Sequence, residues 1–254
     1  MASGCGTDSV DPATVADAAE ASTAAGGAKL TIEGEGTAQG QSIDVSGTGE
    51  MDAKGASEMK MDVPGAGTMR QVFADYVLYQ QMPGLEEQFG KEWAKTDLRR
   101  AYQQIGVDLD LLEQPGGNDP RQMLRQMKNA SGEIEEVGSE KVRGVETTHY
   151  RGDIDLRKSI ERLPEDKRAE AERSMEKVIE LSGSDGFPME VWIDEKKLVR
   201  RLRMKMSLDN PALGGKIEMD TTMELFDYGT PVEIEVPADD EVKDLTDVVA
   251  QQLK

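Results

Sequence analysis

Few residues in this chain could do covalent or acid–base chemistry. Cys5 is the only cysteine and His149 the only histidine among 254 residues. A lone thiol cannot close an internal disulfide or build a cysteine-based zinc site. Two readings of Cys5 remain: an incidental free thiol near a chain end, or a point of lipid attachment. Ser3-Gly4-Cys5 has the small residues that precede the acylated cysteine of bacterial lipoproteins, and polar low-complexity sequence follows directly. Cleavage there would make Cys5 the first mature residue. The apolar core of a signal peptide does not stand before it, so the chain as given is not itself a substrate for that cleavage.

Catalytic patterns are absent. His149 lies in TTHYRG, on the face opposite Tyr150 and Ile154, and reads as a solvated strand histidine. Arg151-Gly152-Asp153 spells an adhesion tripeptide, but within a strand pattern rather than at a loop tip. No GxSxG surrounds a serine, no P-loop is present, and Gly34, Gly36 and Gly40 do not complete GxGxxG. The acids of PADDE (237–241) lack EF-hand spacing, which leaves at most a weak surface cation site. Fifty acids guarantee carboxylate pairs. None is singled out by an apolar setting that would tune its pKa. The expectation is a non-enzymatic protein with no catalytic residue, no metal and no cofactor.

Charge narrows the partners. Fifty acids against 30 bases give a net charge of −20. Nucleic acid needs a basic surface, so it is not expected as a partner. Adsorption to anionic lipid is disfavoured on the same ground, whereas acyl chains on Cys5 would need no such attraction. No apolar run is long enough to span a bilayer.

Residues 1–8 read as the lipobox remnant and tether, and 9–254 as a single domain. Asp11-Pro12 opens an Ala-rich segment that Gly26-Gly27 stops; helix and flexible linker compete for it. From Lys29 the period becomes two. Leu30 and Ile32 share a face, then Ile43, Val45 and Met51, then Met59, Met61 and Val63. Residues 75–82 predict another strand. TDLRRAYQQIG and DPRQMLRQMKNASG predict helices, the second with Met123, Leu124 and Met127 at helical spacing. Residues 133–138 and 145–156 return to strand. Pro164 to Gly183 bound the clearest helix, with Met175, Val178, Ile179 and Leu181 on its apolar side. Met189, Val191 and Ile193 mark the next strand. Leu198, Leu202, Met204, Met206 and Leu208 oppose Val199, Arg201, Arg203 and Lys205 in another. It forms a long hairpin with the strand of Ile217, Met219, Met223 and Leu225. DDEVKDLTDVVAQQL predicts a closing amphipathic helix. Such sequential strands with one apolar and one charged face predict an α+β fold, its antiparallel sheet covered by helices on one side.

The apolar face is rich in methionine. An ordinary core with methionine in place of leucine is one reading. Methionine is a poor strand former, however, and suits surfaces that accept variable apolar shapes. Gly34, Gly36, Gly47 and Gly49 fall on the same face, and strand glycines often mark a bend or room for another group. A bent sheet with a Met- and Gly-lined concave face describes a cavity for acyl chains. Its expected lining is Leu30, Ile32, Ile43, Val45, Met59, Met61, Met189, Val191, Leu202, Met204, Met206, Ile217, Met219 and Met223.

The chain resembles the LolA-like lipoproteins of actinobacteria, the LppX/LprA/LprF/LprG group. The resemblance is carried by SGCG, by VRGVETTHYRGDIDL and by PMEVWIDEKKLVRRLRMKM. A G-x-x-T-x-x-Y strand, a helix, then W-I-D leading into a basic strand is the family's order. Gly144, Thr147, Tyr150, Trp192, Ile193 and Asp194 fill those places. The resemblance spans about residues 9–254. It implies a strongly curved half-barrel of about ten or eleven strands, with helices covering the concave face and a hydrophobic cavity between them. It further implies a lipid carrier or chaperone for lipid or acylated glycolipid, anchored through Cys5 to the outer face of the cell membrane. The alternative is an anchored regulatory or scaffolding module whose outer face binds an envelope protein. Arg201, Arg203 and Lys205 are the patch it would use, unless they pair with Glu218, Asp220 and Glu224 on the neighbouring strand.

Overall fold

Alternation with period two makes a half-buried strand, and glycine joints let successive strands pair as hairpins. The computed structural model describes residues 9–38, 40–65, 67–111, 131–161, 163–210 and 215–253. Cys5 and the tether lie outside the described residues, as do Met123, Leu124 and Met127 of the second expected middle helix.

The strands are β1 (Ser9–Val10), β2 (Ala28–Ala38), β3 (Gln41–Met51), β4 (Ser57–Val63), β5 (Gly67–Ala74), β6 (Val77–Gln81), β7 (Trp93–Asp97), β8 (Ser131–Val142), β9 (Val145–Asp155), β10 (Gly186–Asp194), β11 (Val199–Asn210), β12 (Gly215–Phe226) and β13 (Val242–Asp244). Among the described residues they form one unclosed, curved sheet of 13 strands in the order β1-β8-β9-β10-β11-β12-β2-β3-β4-β5-β6-β7-β13. Every pairing is antiparallel except β13 against β7. The expected β11–β12 hairpin is present, with Leu202 opposite Met223 and Met206 opposite Met219.

The sheet has more strands than the ten or eleven expected. In β5, Val72 and Phe73 are adjacent and both buried, so no alternation marks the strand. Trp93 and Ala94 hide β7 in the same way. The closing segment differs too. Its helix spans only Thr246–Gln252, because Val242–Asp244 instead adds to the open edge of β7. Val242 thereby joins Val72 and Trp93 in a small core on the outer side.

Helices pack against the sheet. Helix α1 (Ala13–Ala24) buries Val15, Ala16, Ala18, Ala19 and Ser22, small residues that bring its axis close to the sheet. Ser22 Oγ accepts a hydrogen bond from the Val199 N–H at 3.0 Å. Helices α2 (Leu85–Phe89), α3 (Leu98–Gln103) and α4 (Lys158–Glu161) are short. Helix α5 (Glu165–Ser182) starts after Pro164 and stops at Gly183, as expected, with Gly183 at φ 70°. Its Ala171 and Met175 pack with Val107, Leu109 and Ile160 in a second core. The last helix, α6 (Thr246–Gln252), rests on α3 and β7.

One facing differs from the sequence pattern. Val199 was expected beside Arg201, but it is fully buried with Leu202. The register shifts between Trp192 and Ile193, so Arg200 is an extra residue in β11. That bulge turns Val199 inward and lets Arg200 pair with Asp194 at 2.7 Å.

Candidate functional site

The inner face is built from cross-strand pairs in which one partner is often glycine. Leu30 stands opposite Gly49, Ile32 opposite Gly47, Gly34 opposite Val45 and Gly36 opposite Ile43. Methionines from the flanking strands fill the space. Met219 lies opposite Gly36 on β12, while Met59 and Met61 lie opposite Gly49 and Gly47 on β4. A Cβ on Gly47 would come within 2.9 Å of Met61 Cγ, and one on Gly34 within 3.2 Å of Met219 Cε. The glycines therefore hold methionine side chains rather than empty room. They let thioethers lie flat across the sheet.

Burial along this face is graded. Leu30, Met59, Met189, Val191, Leu202, Met204 and Met223 are buried in the core beneath α1. Ile32, Ile43, Val45, Met61, Ile217 and Met219 are half-buried. Met206 is 38 % exposed. The expected lining residues thus share one face but not one environment. One end of it is a filled core, and the other remains partly accessible. Met51, which alternation in β3 already sets beside Ile43 and Val45, and Met69 of β5, opposite Met61, also belong to the face.

The outer face is a network of charges. Arg203 donates to both carboxylate oxygens of Asp220, at 2.8 and 2.7 Å. Arg201 donates to Glu224 at 2.8 Å, and Lys205 reaches Asp220 at 3.5 Å. The basic row is therefore neutralised by its neighbours, with the exception that Glu218 pairs with Lys216. His149 is not solvated as expected. Its imidazole stacks on Trp192 with centroids 4.1 Å apart, and Nε2 lies 2.7 Å from Glu190. The Trp192 indole N–H donates to Glu140. Arg151-Gly152-Asp153 lies within β9, as its pattern indicated.

Grooves open on the outer side among the described residues. One of about 550 Å³ is lined by Glu33, Glu35, Asp44, Asp62 and Pro64. Another, of about 460 Å³, runs between Glu33 and Trp192 over Arg201 and Arg203. Among the described residues, no three of His, Cys, Asp and Glu converge to hold a metal ion. No helix among them is long and apolar enough to cross a membrane.

This architecture matches known structures. The lipoprotein LppX of Mycobacterium tuberculosis superposes with a TM-score of 0.50, covering 89 % of this chain and 100 % of LppX at 13 % identity. The chain has the LppX fold. LprF from Mycobacterium bovis aligns over 90 % of this chain and 97 % of its own, at a TM-score of 0.45 and 13 % identity. In sequence, an uncharacterised Streptomyces griseus protein of the rplA–rplJ intergenic region is 25 % identical over 163 residues. That alignment takes in 64 % of this chain and about half the length of the Streptomyces protein, 51 %. No family model matches. The LppX fold fits the α+β, curved-sheet expectation. The ion pairs of the outer face support that sheet from behind.

Proposed function

We propose that the protein is a non-enzymatic envelope lipoprotein that holds lipid acyl chains against the inner face of its sheet and acts as a lipid carrier or chaperone. One observation carries this reading: the apolar, methionine-lined inner face that grades from fully buried Met59 and Met189 to Met206 at 38 % exposure. Partly accessible apolar surface of this kind is characteristic of a binding site. Each methylene placed there would contribute about 0.8 kcal/mol, enough for a long chain to bind tightly. Methyl and thioether contacts adapt to shape, so selectivity among chains would be loose.

In this reading residues 9–254 form one lipid-binding domain, and Cys5 carries the acyl anchor that tethers it outside the cell membrane. The ligand is a lipid or acylated glycolipid. The LppX fold supports this assignment as a fold and does not name the ligand. A scaffolding module docking an envelope protein on Arg201, Arg203 and Lys205 is less favoured, since those side chains already pair within the sheet.

The test is native mass spectrometry on protein made in its own host from its full-length gene. Discrete added masses that extract into organic solvent, with an acylated N-terminal peptide, are the expected result. An acylated but empty domain would overturn the carrier and leave the scaffold.

A further inference from the structure

Charge on this sheet is sorted by face. In the run of strands from β10 through β11, β12, β2, β3, β4, β5 and β6 to β7, the register sends every described acid and base that it pairs outward, while Arg200 of the bulge lies against Asp194. Beyond this run, Glu136 stands opposite Tyr150 and Lys141 opposite Glu146 at inner positions of β8 and β9. Within the run, the inner positions hold aliphatic residues, methionine, glycine, Phe73 and a few neutral polar groups, among them Gln71, Gln80 and Thr221. The residues that α1 and α5 bury are neutral too. This occurs in a chain in which 31 % of residues are charged.

Such sorting has a consequence for ligand choice. An anionic head group drawn onto the part of this face that runs from β10 to β7 would lose its water and meet no ammonium or guanidinium from those strands in return, which is heavily disfavoured. A head group left outside would fare little better. Where Ile43, Val45 and Val63 are half-buried, the strand ends carry Glu35, Asp44 and Asp62 on their other side. The chain as a whole bears −20. Like charges repel at that rim.

We infer that this protein takes up uncharged acyl lipids of the acylglycerol type and excludes anionic lipids with the same chains. The inference rests on the carrier reading above and specifies its ligand class. Hydroxyl and ester groups would be met by Gln71 and Gln80, which stand opposite each other and can donate and accept without a buried charge.

The test uses the full chain with phosphatidylcholine vesicles carrying either a pyrene-labelled diacylglycerol or a pyrene-labelled phosphatidic acid with identical chains. Protein is separated from vesicles and the retained pyrene counted. Diacylglycerol is expected to be retained at least about tenfold over phosphatidic acid at neutral pH. Equal or greater retention of phosphatidic acid overturns the selectivity while leaving the carrier reading intact. Retention of neither lipid overturns both. A Met206→Lys variant supplies the missing cation at the most exposed inner position. It is expected to raise the ratio of phosphatidic acid to diacylglycerol retained by about tenfold over the parent, with melting unchanged. Continued exclusion of phosphatidic acid by that folded variant would show that charge on this face is not what selects.

Discussion

Gly36 stands opposite Met219 across the β2–β12 ladder, and the methionine sulfur lies 2.5 Å from where a Cβ on Gly36 would sit. The Glu218 carbonyl oxygen is closer still, at 2.0 Å. The sheet has closed onto this glycine. The same is true at Gly49, where the Glu58 carbonyl lies 2.3 Å from the Cβ position.

Replacing Gly36 with alanine sets two effects against each other. Lower unfolded-state entropy favours alanine by about 0.5–1 kcal/mol. The clash with a ladder carbonyl opposes it, and overpacking of this kind costs about 1–3 kcal/mol. A sulfur can swing away, whereas a carbonyl bonded into the sheet cannot. Gly36→Ala is therefore expected to lower the urea midpoint. Gly34→Ala should be near neutral, because its nearest neighbours are Met219 Cε at 3.2 Å and Thr221 Oγ1 at 3.5 Å, both side-chain ends. Equal midpoints for the two variants would contradict this account.

The grading of the inner face separates two methionines that share it. Met204 is 6 % exposed and belongs to the main core. Met204→Trp should cost about 1–3 kcal/mol of stability through overpacking. Met219 is half-buried at the accessible end, beside Gly34 and Gly36. Met219→Trp should melt close to the parent and retain about tenfold less pyrene-labelled diacylglycerol, a change worth about 1.4 kcal/mol of binding. Unchanged retention in a folded Met219→Trp protein would remove this end of the face from the site.

Much of this was legible in the sequence. Period two found the strands from Leu30 to Val63 and from Met189 to Leu225, because each has water on one side and core on the other. The residues of the inner face followed from the same signal. The signal fails where both sides are buried, as at Val72–Phe73 and Trp93–Ala94, and the strands there were missed. It also cannot register a bulge, so Val199 was placed on the wrong face. Nor could alternation distinguish filled core from accessible surface. Met204 and Met206 are two residues apart on one face, yet only Met206 is exposed, and α1 and α5 decide the difference from elsewhere in the chain.

The Arg203–Asp220 pair makes a pH prediction. The two hydrogen bonds from Arg203 hold the Asp220 carboxyl below its ordinary value of 3.8. A carboxylate with a depressed folded pKa stabilises the fold above its unfolded value and loses that contribution as pH falls through the folded value. The side chains are 39 % and 31 % exposed, so solvent screening limits the pair to about 0.5–1 kcal/mol. Arg203→Gln should be less stable than the parent by that amount at pH 7. The gap should narrow below about pH 3.8 as Asp220 takes up its proton in both proteins. Urea titrations at pH 7 and pH 3 read the difference, and a gap independent of pH would assign the loss to packing instead.

The turn between β5 and β6 tests strain against packing. Asp75 and Tyr76 both have positive φ, 47° and 63°. For tyrosine the left-handed region costs about 1–2 kcal/mol, which glycine would relieve. Against that, Tyr76 packs on the second core, and the Arg99 guanidinium lies 3.9 Å from its ring centroid. Arg99 is itself held by Asp75 at 3.0 Å and Asp110 at 2.9 Å. The Tyr76 carbonyl also accepts from the Leu98 N–H at 2.9 Å, fixing the start of α3. Losing the ring forfeits about 1.5–3 kcal/mol of burial and about 0.5–1 kcal/mol of cation–π attraction. Packing should win, so Tyr76→Gly is expected to destabilise by about 1 kcal/mol net. A double-mutant cycle with Arg99→Met should return a coupling of about 0.5–1 kcal/mol. A Tyr76→Gly protein as stable as the parent, with no coupling to Arg99, would mean that backbone strain rather than the ring governs this turn.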